Sequence, residues 1–204
     1  MHKKYIPALY CQKNLRVGIL GGSFDPLHKG HLYIAENARK YYKLDYVIFL
    51  LSKQNPLKKQ STKFDIRFDN LSNKLKYYPY FIPSNFENTL KNSFSYNVLN
   101  QLKKVLGRHQ YYWIMGEDNL YNFHMFKNFN TIVKSINIIV ASRAQPSYKA
   151  LCSKTALIYK NCINISHFYD SIKNSDINGY NIAFMLQKRE NISSSEYRKK
   201  YAKQ

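Results

Sequence analysis

From Arg16 onward, short apolar segments alternate with segments whose apolar residues recur at helical spacing. The apolar segments are RVGIL (16–20), YVIFLL (46–51), YYWIM (111–115), INIIVA (136–141) and NIAFML (181–186). Each has the length of a strand and is shorter than most buried helices. Strands that alternate with helices predict βα units, a parallel sheet and a doubly wound α/β domain.

Amphipathic segments lie between these strands. Residues 31–44 follow the first strand, and two further helical faces are marked by regularly spaced side chains: Phe64, Phe68, Leu71 and Leu75, then Val98, Leu99, Leu102, Val105 and Leu106. Spacings of three and four residues bring such side chains to one side of a helix. Residues 142–180 show no clear period, although residues 162–165 could add a strand there.

The length and the absence of internal repeats favour a single domain. A chain of 204 residues can bury one core of ordinary size. We expect residues 1–15 to be a short N-terminal extension and residues 16–204 to form the domain. No apolar run approaches the roughly 20 residues of a membrane-spanning helix, and the basic N-terminus lacks the apolar stretch of a secretory signal.

The cysteines indicate neither a disulfide framework nor a zinc site. Cys11, Cys152 and Cys162 form no CxxC pair and are odd in number. The simplest interpretation is a protein of the reducing cytoplasm that holds no metal through cysteine.

The chain is strongly basic, with 32 lysines and arginines against 12 aspartates and glutamates and a formal net charge of +20. Such a surplus attracts polyanions. Three origins stay open: nucleic-acid binding, binding of phosphorylated small molecules, and a compositional bias without function. The 19 tyrosines and 12 phenylalanines would suit a single-strand groove. They fall mostly at core spacing, however, and the basic residues form no stripe, so no specific nucleic acid is expected.

The stretch GGSFDPLHKGH (21–31), directly after the first strand, combines turn formers with reactive side chains. A glycine-rich turn between a strand and a helix lets a phosphate approach the backbone, and the amides at the start of the helix favour anions. Asp25-Pro26 is typical of a turn. Ligands of doubly wound folds bind at the carboxyl ends of the strands, which is where this stretch falls.

Two histidines stand at the end of this stretch. His28 and His31 are three residues apart, so a helix that begins near His28 brings both rings to one side, flanking Gly30. Taken singly, a histidine at a helix start is more often a cap or a surface residue. Two imidazoles beside a phosphate site can donate hydrogen bonds to a phosphate whose charge rises in a transition state. The pair favours phosphoryl or nucleotidyl transfer without a covalent intermediate.

This stretch resembles the GG[ST]FDPxHxGH signature of the HxGH nucleotidyltransferase superfamily, in particular of bacterial nicotinate-mononucleotide adenylyltransferases. That family's second signature, ISSTxIR, resembles ISSSEYR (192–198). Ser193 and Glu196 also fit a capping box, which predicts a helix start with Arg198 on its first turns. A serine-rich cap by itself is more often structural. Family members commonly continue with another helix, whereas this sequence ends at Gln204.

Further blocks extend the resemblance over most of residues 16–198. IMGEDNLYNFHMFKNF (114–129) resembles the family's GxDxLxxxxxW block, with Phe126 in place of the tryptophan. Ser95-Tyr96-Asn97 resembles its SYT element, with asparagine in place of threonine. QNPLKK (54–59) stands where many members have PPHK, so that the usual histidine is Leu57 and the cation is Lys58.

The resemblance implies a Rossmann-like nucleotidyltransferase that, with ATP and Mg²⁺, converts nicotinate mononucleotide to nicotinate adenine dinucleotide and pyrophosphate. His28 and His31 would be catalytic. ATP binding is assigned to Gly21, Gly22, Ser23, Phe24, Gly30, Lys58, Gly116, Asp118, Ser193, Ser194, Ser195 and Arg198, and mononucleotide binding to Tyr96, Asn97, Phe126 and Arg143. Nicotinamide mononucleotide and phosphopantetheine stay open as alternative second substrates, and a homo-oligomer stays open as the assembly.

Overall fold

A computed structural model describes residues 9, 14–53, 62–142, 146–166 and 182–186, and the account below is confined to them. The strands are β1 (Arg16–Gly22), β2 (Tyr46–Leu51), β3 (Phe81–Ser84), β4 (Gln110–Gly116), β5 (Asn137–Ser142), β6 (Ile163–Ser166) and β7 (Ile182–Leu186). The helices are α1 (Lys29–Tyr41), α2 (Phe64–Leu75), α3 (Ser95–Leu106), α4 (Glu117–Asn122), α5 (Phe129–Ser135), α6 (Tyr148–Leu151) and α7 (Lys154–Ile158). Short 3-10 turns cover Phe86–Thr89, Phe123–Met125 and Lys160–Cys162.

The seven strands form one sheet in the order β3-β2-β1-β4-β5-β7-β6, with every neighbouring pair parallel. The doubly wound α/β fold predicted from the sequence is therefore confirmed. The chain runs outward from β1 to β3 and then returns to β4 on the other side of β1. The gap between the carboxyl ends of β1 and β4 is thus the topological switch point, where ligands of such folds bind.

Each face of the sheet carries its own hydrophobic core. Val17 and Ile19 of β1 pack with the apolar side of α3, including Leu99 and Leu102. Leu20, the next residue of β1, joins the opposite cluster, which holds the buried side chains of α1 and α2: Ala35, Ala38, Leu71 and Leu75. Successive side chains of a strand point to opposite faces, so the alternation in β1 fixes which helices lie on which face.

Gly18 lets the central strand accept close neighbours. A Cβ at this position would lie 2.9 Å from Leu44 Cδ1 and 3.0 Å from Ile114 Cδ1. Both distances are shorter than ordinary van der Waals contact. The space that a side chain of Gly18 would occupy is filled by these neighbours, so β1 packs tightly against the α1 and α2 side of the core.

The strands and helical faces predicted within the described residues are present in the structure, and the elements that were not predicted are short. The candidate strand at 162–165 is β6, and the two apolar faces predicted at Phe64–Leu75 and Val98–Leu106 lie on α2 and α3. The sequence reading missed β3, whose Pro83 pairs with Phe49 at the edge of the sheet, and the short helices α4 to α7. Leu9 is fully buried in the core, while the boundary between an extension at 1–15 and a domain at 16–204 stays a prediction.

Within the described part of the chain, no helix is both long enough and apolar enough to span a membrane.

Candidate active site

A cavity of about 390 Å³ opens where β1 and β4 end. Its lining combines the glycine turn, both strand ends and the start of α3: Ile19, Gly21, Gly22, Leu50, Ser52, Lys53, Glu87, Ser95, Val98, Leu99, Trp113, Ile114, Met115, Asn119 and Phe126. The cavity lies at the switch point of the sheet, so the fold and the glycine-rich motif point to the same place.

The glycine turn leaves the backbone open toward this cavity. A Cβ at Gly21 would meet no atom within 4 Å, whereas a Cβ at Gly22 would lie 3.0 Å from Cε1 of the buried Phe24. The carbonyl of Gly22 accepts a hydrogen bond of 2.9 Å from the amide of Ser52, which ties the turn to the end of β2. Gly21 thus offers room for an approaching ligand, while Gly22 offers room for Phe24.

His28 and His31 lie together at the start of α1. His28 is the N-cap and is 8% exposed. Its amide donates a hydrogen bond of 3.3 Å to Nδ1 of His31. The two rings stack with centroids 3.7 Å apart and an interplanar angle of 28°. The close pair that the spacing predicted is present, at the N-terminus of a 13-residue helix.

The hydrogen bond also sets the protonation of His31. Because Nδ1 accepts the amide proton, the proton of the neutral ring resides on Nε2. Burial, with a smaller contribution from the charge of His28, lowers the pKa of His31 to about 3. In addition, the edge-to-face contact with Phe24, at 5.1 Å between centroids, fixes the orientation of the ring. His31 is therefore a neutral donor near pH 7.

A buried arginine, Arg67, holds the glycine turn in place through hydrogen bonds to backbone carbonyls. It is 1% exposed and donates hydrogen bonds to the carbonyls of Ser23 (2.9 Å), Ser52 (3.1 Å) and Thr62 (3.0 Å). Asp25 accepts hydrogen bonds from the amide and the hydroxyl of Thr62, at 3.1 and 2.8 Å. These contacts of Arg67 and Asp25 were not predicted from the sequence. A signal was available, because Arg67 occupies the same side of α2 as the apolar residues.

The far end of the cavity is aromatic. Phe126 lines it, and Trp113 of β4 lies beside Phe126 with ring centroids 6.2 Å apart. The sequence reading treated Trp113 only as part of a strand. Of the Ser95-Tyr96-Asn97 element, Ser95 lines the cavity. The side-chain amide nitrogen Nδ2 of Asn97 donates a hydrogen bond of 3.4 Å to the Asn92 backbone carbonyl.

The other predicted contacts are more dispersed. Tyr96 packs against the core next to Phe126. Gly116 caps α4 at the end of β4, and the side chain of Asp118 is exposed, whereas its neighbour Asn119 lines the cavity. Glu117, which the prediction did not include, accepts hydrogen bonds from the Ser142 hydroxyl and the Ser147 amide and so joins β5 to the start of α6.

Two charged residues that the sequence reading missed face the cavity, Lys53 and Glu87. The Lys53 amide donates to the Glu87 carboxylate at 2.9 Å, and the Lys53 ammonium donates to the Leu90 carbonyl at 2.5 Å. Burial raises the pKa of Glu87, although hydrogen bonds from Lys53 and Ser93 oppose this. The only hint in the sequence was that Lys53 follows a buried strand closely.

The remaining predicted site residues lie outside the described part of the chain. They are Lys58, Arg143, Ser193, Ser194, Ser195 and Arg198. Among the residues that are described, no group of three or more histidine, cysteine, aspartate or glutamate side chains could hold a metal ion by itself.

Comparisons with known proteins agree on one family. Residues 19–200 match the family model described as cytidylyltransferase-like. A probable nicotinate-nucleotide adenylyltransferase of Pelagibacter ubique is 33% identical over 195 residues, covering 92% of this chain and 94% of the relative. One from Ruegeria is 34% identical over 145 residues, covering 71% and 77%.

A solved structure supports the fold. The nicotinic acid mononucleotide adenylyltransferase of Plasmodium falciparum, solved in complex with NaAD, superposes with a TM-score of 0.65 at 16% identity. The match covers 92% of this chain and 83% of that one.

Proposed function

The chain belongs to the cytidylyltransferase-like family and, within it, to the nicotinate-nucleotide adenylyltransferases, and from that membership we propose how its residues transfer an adenylyl group. The 5′-phosphate of nicotinate mononucleotide attacks the α-phosphate of ATP. The products are nicotinate adenine dinucleotide and pyrophosphate, a step of NAD biosynthesis.

The stacked pair of His28 and His31 at the N-terminus of α1 is the observation that carries the proposal. A helix N-terminus presents amides and a partial positive charge to an anion. The exposed backbone of Gly21 stands at the end of the neighbouring strand. Phosphates that enter between the turn and the helix therefore meet amides together with two imidazoles.

His31 acts as a hydrogen-bond donor to the α-phosphate. Its Nδ1 is occupied by the His28 amide, so Nε2–H is the group that it can offer. A phosphate that approaches Nε2 stabilises the protonated ring and raises the pKa from about 3. As charge builds on the α-phosphate, the ring strengthens its hydrogen bond where a transition state needs it.

The aromatic end of the cavity receives the pyridine ring. Phe126 and Trp113 supply flat apolar faces, and aromatic rings gain from offset or edge-to-face contact. With the phosphates at the glycine turn and the ring at Phe126, the mononucleotide spans the cavity and its 5′-phosphate points at the histidine pair.

Magnesium accompanies ATP in this proposal. Mg²⁺ usually keeps several waters and binds through substrate phosphates and one or two carboxylates, and it does not require an all-protein cage. The described residues offer no such cage, so they fit an ion held mainly by the triphosphate. When bound, the ion would neutralise charge on the phosphate oxygens.

The outgoing pyrophosphate is assigned to Lys58, Arg198 and Ser193 to Ser195, from the family resemblance and the basic character of Lys58 and Arg198. We further propose that the reaction takes place in the cytoplasm, in keeping with the cysteine pattern, and we leave a homo-oligomer as a proposal without a described interface.

The test is pyrophosphate release by the purified chain with ATP and Mg²⁺, comparing nicotinate mononucleotide, nicotinamide mononucleotide and phosphopantetheine. We expect nicotinate mononucleotide to be the best substrate. His31→Ala should lower turnover by about 10²–10³, the usual cost of one lost donor, with an unchanged circular dichroism spectrum.

His124→Ala is the matched control, because His124 belongs to the 3-10 turn Phe123–Met125 and not to the N-terminus of α1, and the hydrogen bond described for its ring is to the nearby Tyr121 carbonyl. It should keep full activity. Folded wild-type protein that turns over none of the three substrates would refute the proposal, and near-full activity of His31→Ala would refute the role of His31.

A further inference from the structure

The geometry points to Lys53 as the residue that makes the site prefer nicotinate mononucleotide, the acid, over nicotinamide mononucleotide, the amide. We propose that its ammonium binds the carboxylate of the pyridine ring. The inference rests on the proposed function, since it concerns which mononucleotide fills the same cavity.

The chemistry of the lining fits a flat ring with an anionic substituent. The walls are largely apolar and aromatic, from Val98, Leu99, Trp113, Met115 and Phe126. Among the described residues that line the cavity, Lys53 contributes the one positive charge and Glu87 the one negative charge. A carboxylate that enters a mostly apolar cavity needs a partner, and Lys53 is the cation within that lining.

The ammonium group of Lys53 is held in position by a backbone carbonyl. The Lys53 backbone follows Ser52, which is bonded to the glycine turn, and its ammonium donates to the carbonyl of Leu90, directly after the 3-10 turn that contains Glu87. An ammonium has three donors, and the contacts among the described residues engage one of them. Lys53 lines the same cavity as Trp113 and Phe126, so we assign it to the ring end of the mononucleotide and leave the phosphate end to the histidine pair at α1.

The start of α3 adds to the same preference. Ser95, the first residue of this 12-residue helix, lines the cavity, and the first turn contains no acidic residue. The partial positive charge of a helix N-terminus favours an anion. The ammonium of Lys53 and the start of α3 thus both belong to the lining of one cavity.

Glu87 positions Lys53 and does not block the carboxylate. Its oxygens accept hydrogen bonds from the Lys53 amide and from Ser93. The charges of Lys53 and Arg67 both act on it, which offsets its own charge. Glu87 therefore anchors the backbone of Lys53 while the ammonium extends past it to Leu90.

Fluorescence of Trp113 gives a direct measure of binding. It is the only tryptophan in the chain and it lines the cavity, so each mononucleotide can be titrated and its Kd determined without turnover. For Lys53→Met we expect the preference for nicotinate over nicotinamide mononucleotide, as the ratio of their Kd values, to fall by about tenfold or more, the cost of a lost charge-assisted hydrogen bond. Lys53→Arg, which keeps the cation, should retain most of the preference.

Lys91→Met is the control, because Lys91 is exposed next to Leu90 and its loss changes the net charge equally. It should keep the wild-type ratio. An equal loss for both mononucleotides in Lys53→Met would mean that Lys53 binds the shared ribose phosphate, and unchanged affinities would mean that it binds neither; both results overturn the inference. If Lys53→Met does not fold, Lys53→Gln replaces it. Tight binding of nicotinate mononucleotide without turnover would instead count against the proposed reaction alone.

Discussion

At the scale of single residues, the site depends on a histidine that stays neutral. Burial and the nearby charge of His28 lower the pKa of His31 from its ordinary 6.5 to about 3. A neutral ring with its proton on Nε2 can donate one hydrogen bond without carrying a permanent charge into the site. The same shift has a consequence for stability, since the unfolded chain binds a proton at a pH where the folded chain does not.

We expect His31 to make the folded protein less stable as the pH falls. The unfolded state binds the proton below pH 6.5, and the folded state only near pH 3. The free energy of unfolding is therefore fully retained above pH 6.5, and it decreases as the pH falls from 6.5 toward 3 because protons then bind to the unfolded state alone. Between pH 7.5 and 5, the free energy of unfolding of the wild type should fall by about 2 kcal/mol more than that of His31→Gln. Urea unfolding at the two pH values measures this difference.

His124→Gln serves as the reference for that experiment, because it removes a histidine of the 3-10 turn Phe123–Met125 and leaves the histidine pair at the start of α1 intact. It should reproduce the wild-type pH dependence. If His31→Gln also does so, the ring of His31 is not neutral in the folded state.

Single residues differ in how far the sequence revealed them. The pairing of His28 with His31 followed from a spacing of three at a helix start, which is local information. Lys53 reaches Leu90, a contact 37 residues away in the chain, and Arg67 reaches Ser23, 44 residues away. Such contacts depend on which strands become neighbours, so no local pattern identifies them; only the position of a charge at core spacing hinted at Arg67.

At the scale of elements, β1 connects the core to the site through two glycines with opposite surroundings. Gly18 lies in the middle of the strand, where a Cβ would lie 2.9 Å from Leu44 and 3.0 Å from Ile114. Gly21 lies at the carboxyl end, where a Cβ would meet no atom within 4 Å. The absent side chain serves packing at Gly18 and ligand approach at Gly21.

Alanine substitutions should separate these two roles. Gly18→Ala forces the ends of two side chains to move, and overpacking of this kind costs typically about 1–3 kcal/mol of stability. Gly21→Ala should leave the free energy of unfolding within about 0.5 kcal/mol, yet lower kcat/KM for ATP by roughly tenfold or more, because the methyl group occupies the path of the phosphates.

Each variant is the control for the other, with chemical unfolding and pyrophosphate release measured on both. A destabilised Gly21→Ala would contradict the open surroundings of this residue. A fully active Gly21→Ala would contradict the approach of phosphates at the end of β1.

Elements with a long apolar run or a regular apolar face were predictable, whereas most of the short ones were not. The buried runs YVIFLL and INIIVA and the regular face of α3 carry their own signal. By contrast, β3 spans only four residues and contains Pro83, which argues against a central strand but is tolerated at the edge of a sheet. Helices α4 to α7 are four to seven residues long and owe their form to packing, since isolated helices of this length are not stable.

At the scale of the whole molecule, the alternation of strands and helices was enough to predict the class of fold but not the order of the strands. The position of β7 between β5 and β6 depends on long-range pairing that the sequence pattern does not encode. The predicted site and the cavity nevertheless lie at the same edge, because a doubly wound sheet has its switch point where the strand order reverses and the glycine turn follows the first strand.

The net charge belongs to this scale too. With 32 basic against 12 acidic side chains, the chain carries a formal net charge of +20. Some basic side chains are paired, as Arg39 and Lys40 are with Glu36, but the surplus creates a positive field around the molecule. Both substrates in the proposed reaction are anions, so this field should raise the rate at which they reach the cavity.

Salt should therefore weaken the enzyme mainly through encounter with its substrates. Raising the ionic strength from 0.1 to 1 M shortens the Debye length from about 10 to about 3 Å, and we expect kcat/KM for both ATP and nicotinate mononucleotide to fall by roughly tenfold or more, with a much smaller change in kcat. Steady-state pyrophosphate release over a sodium chloride series measures both quantities, and sucrose at matched viscosity separates charge screening from slower diffusion. A kcat/KM that stays flat with salt would mean that the surplus of lysine and arginine has no part in substrate capture and reflects composition alone.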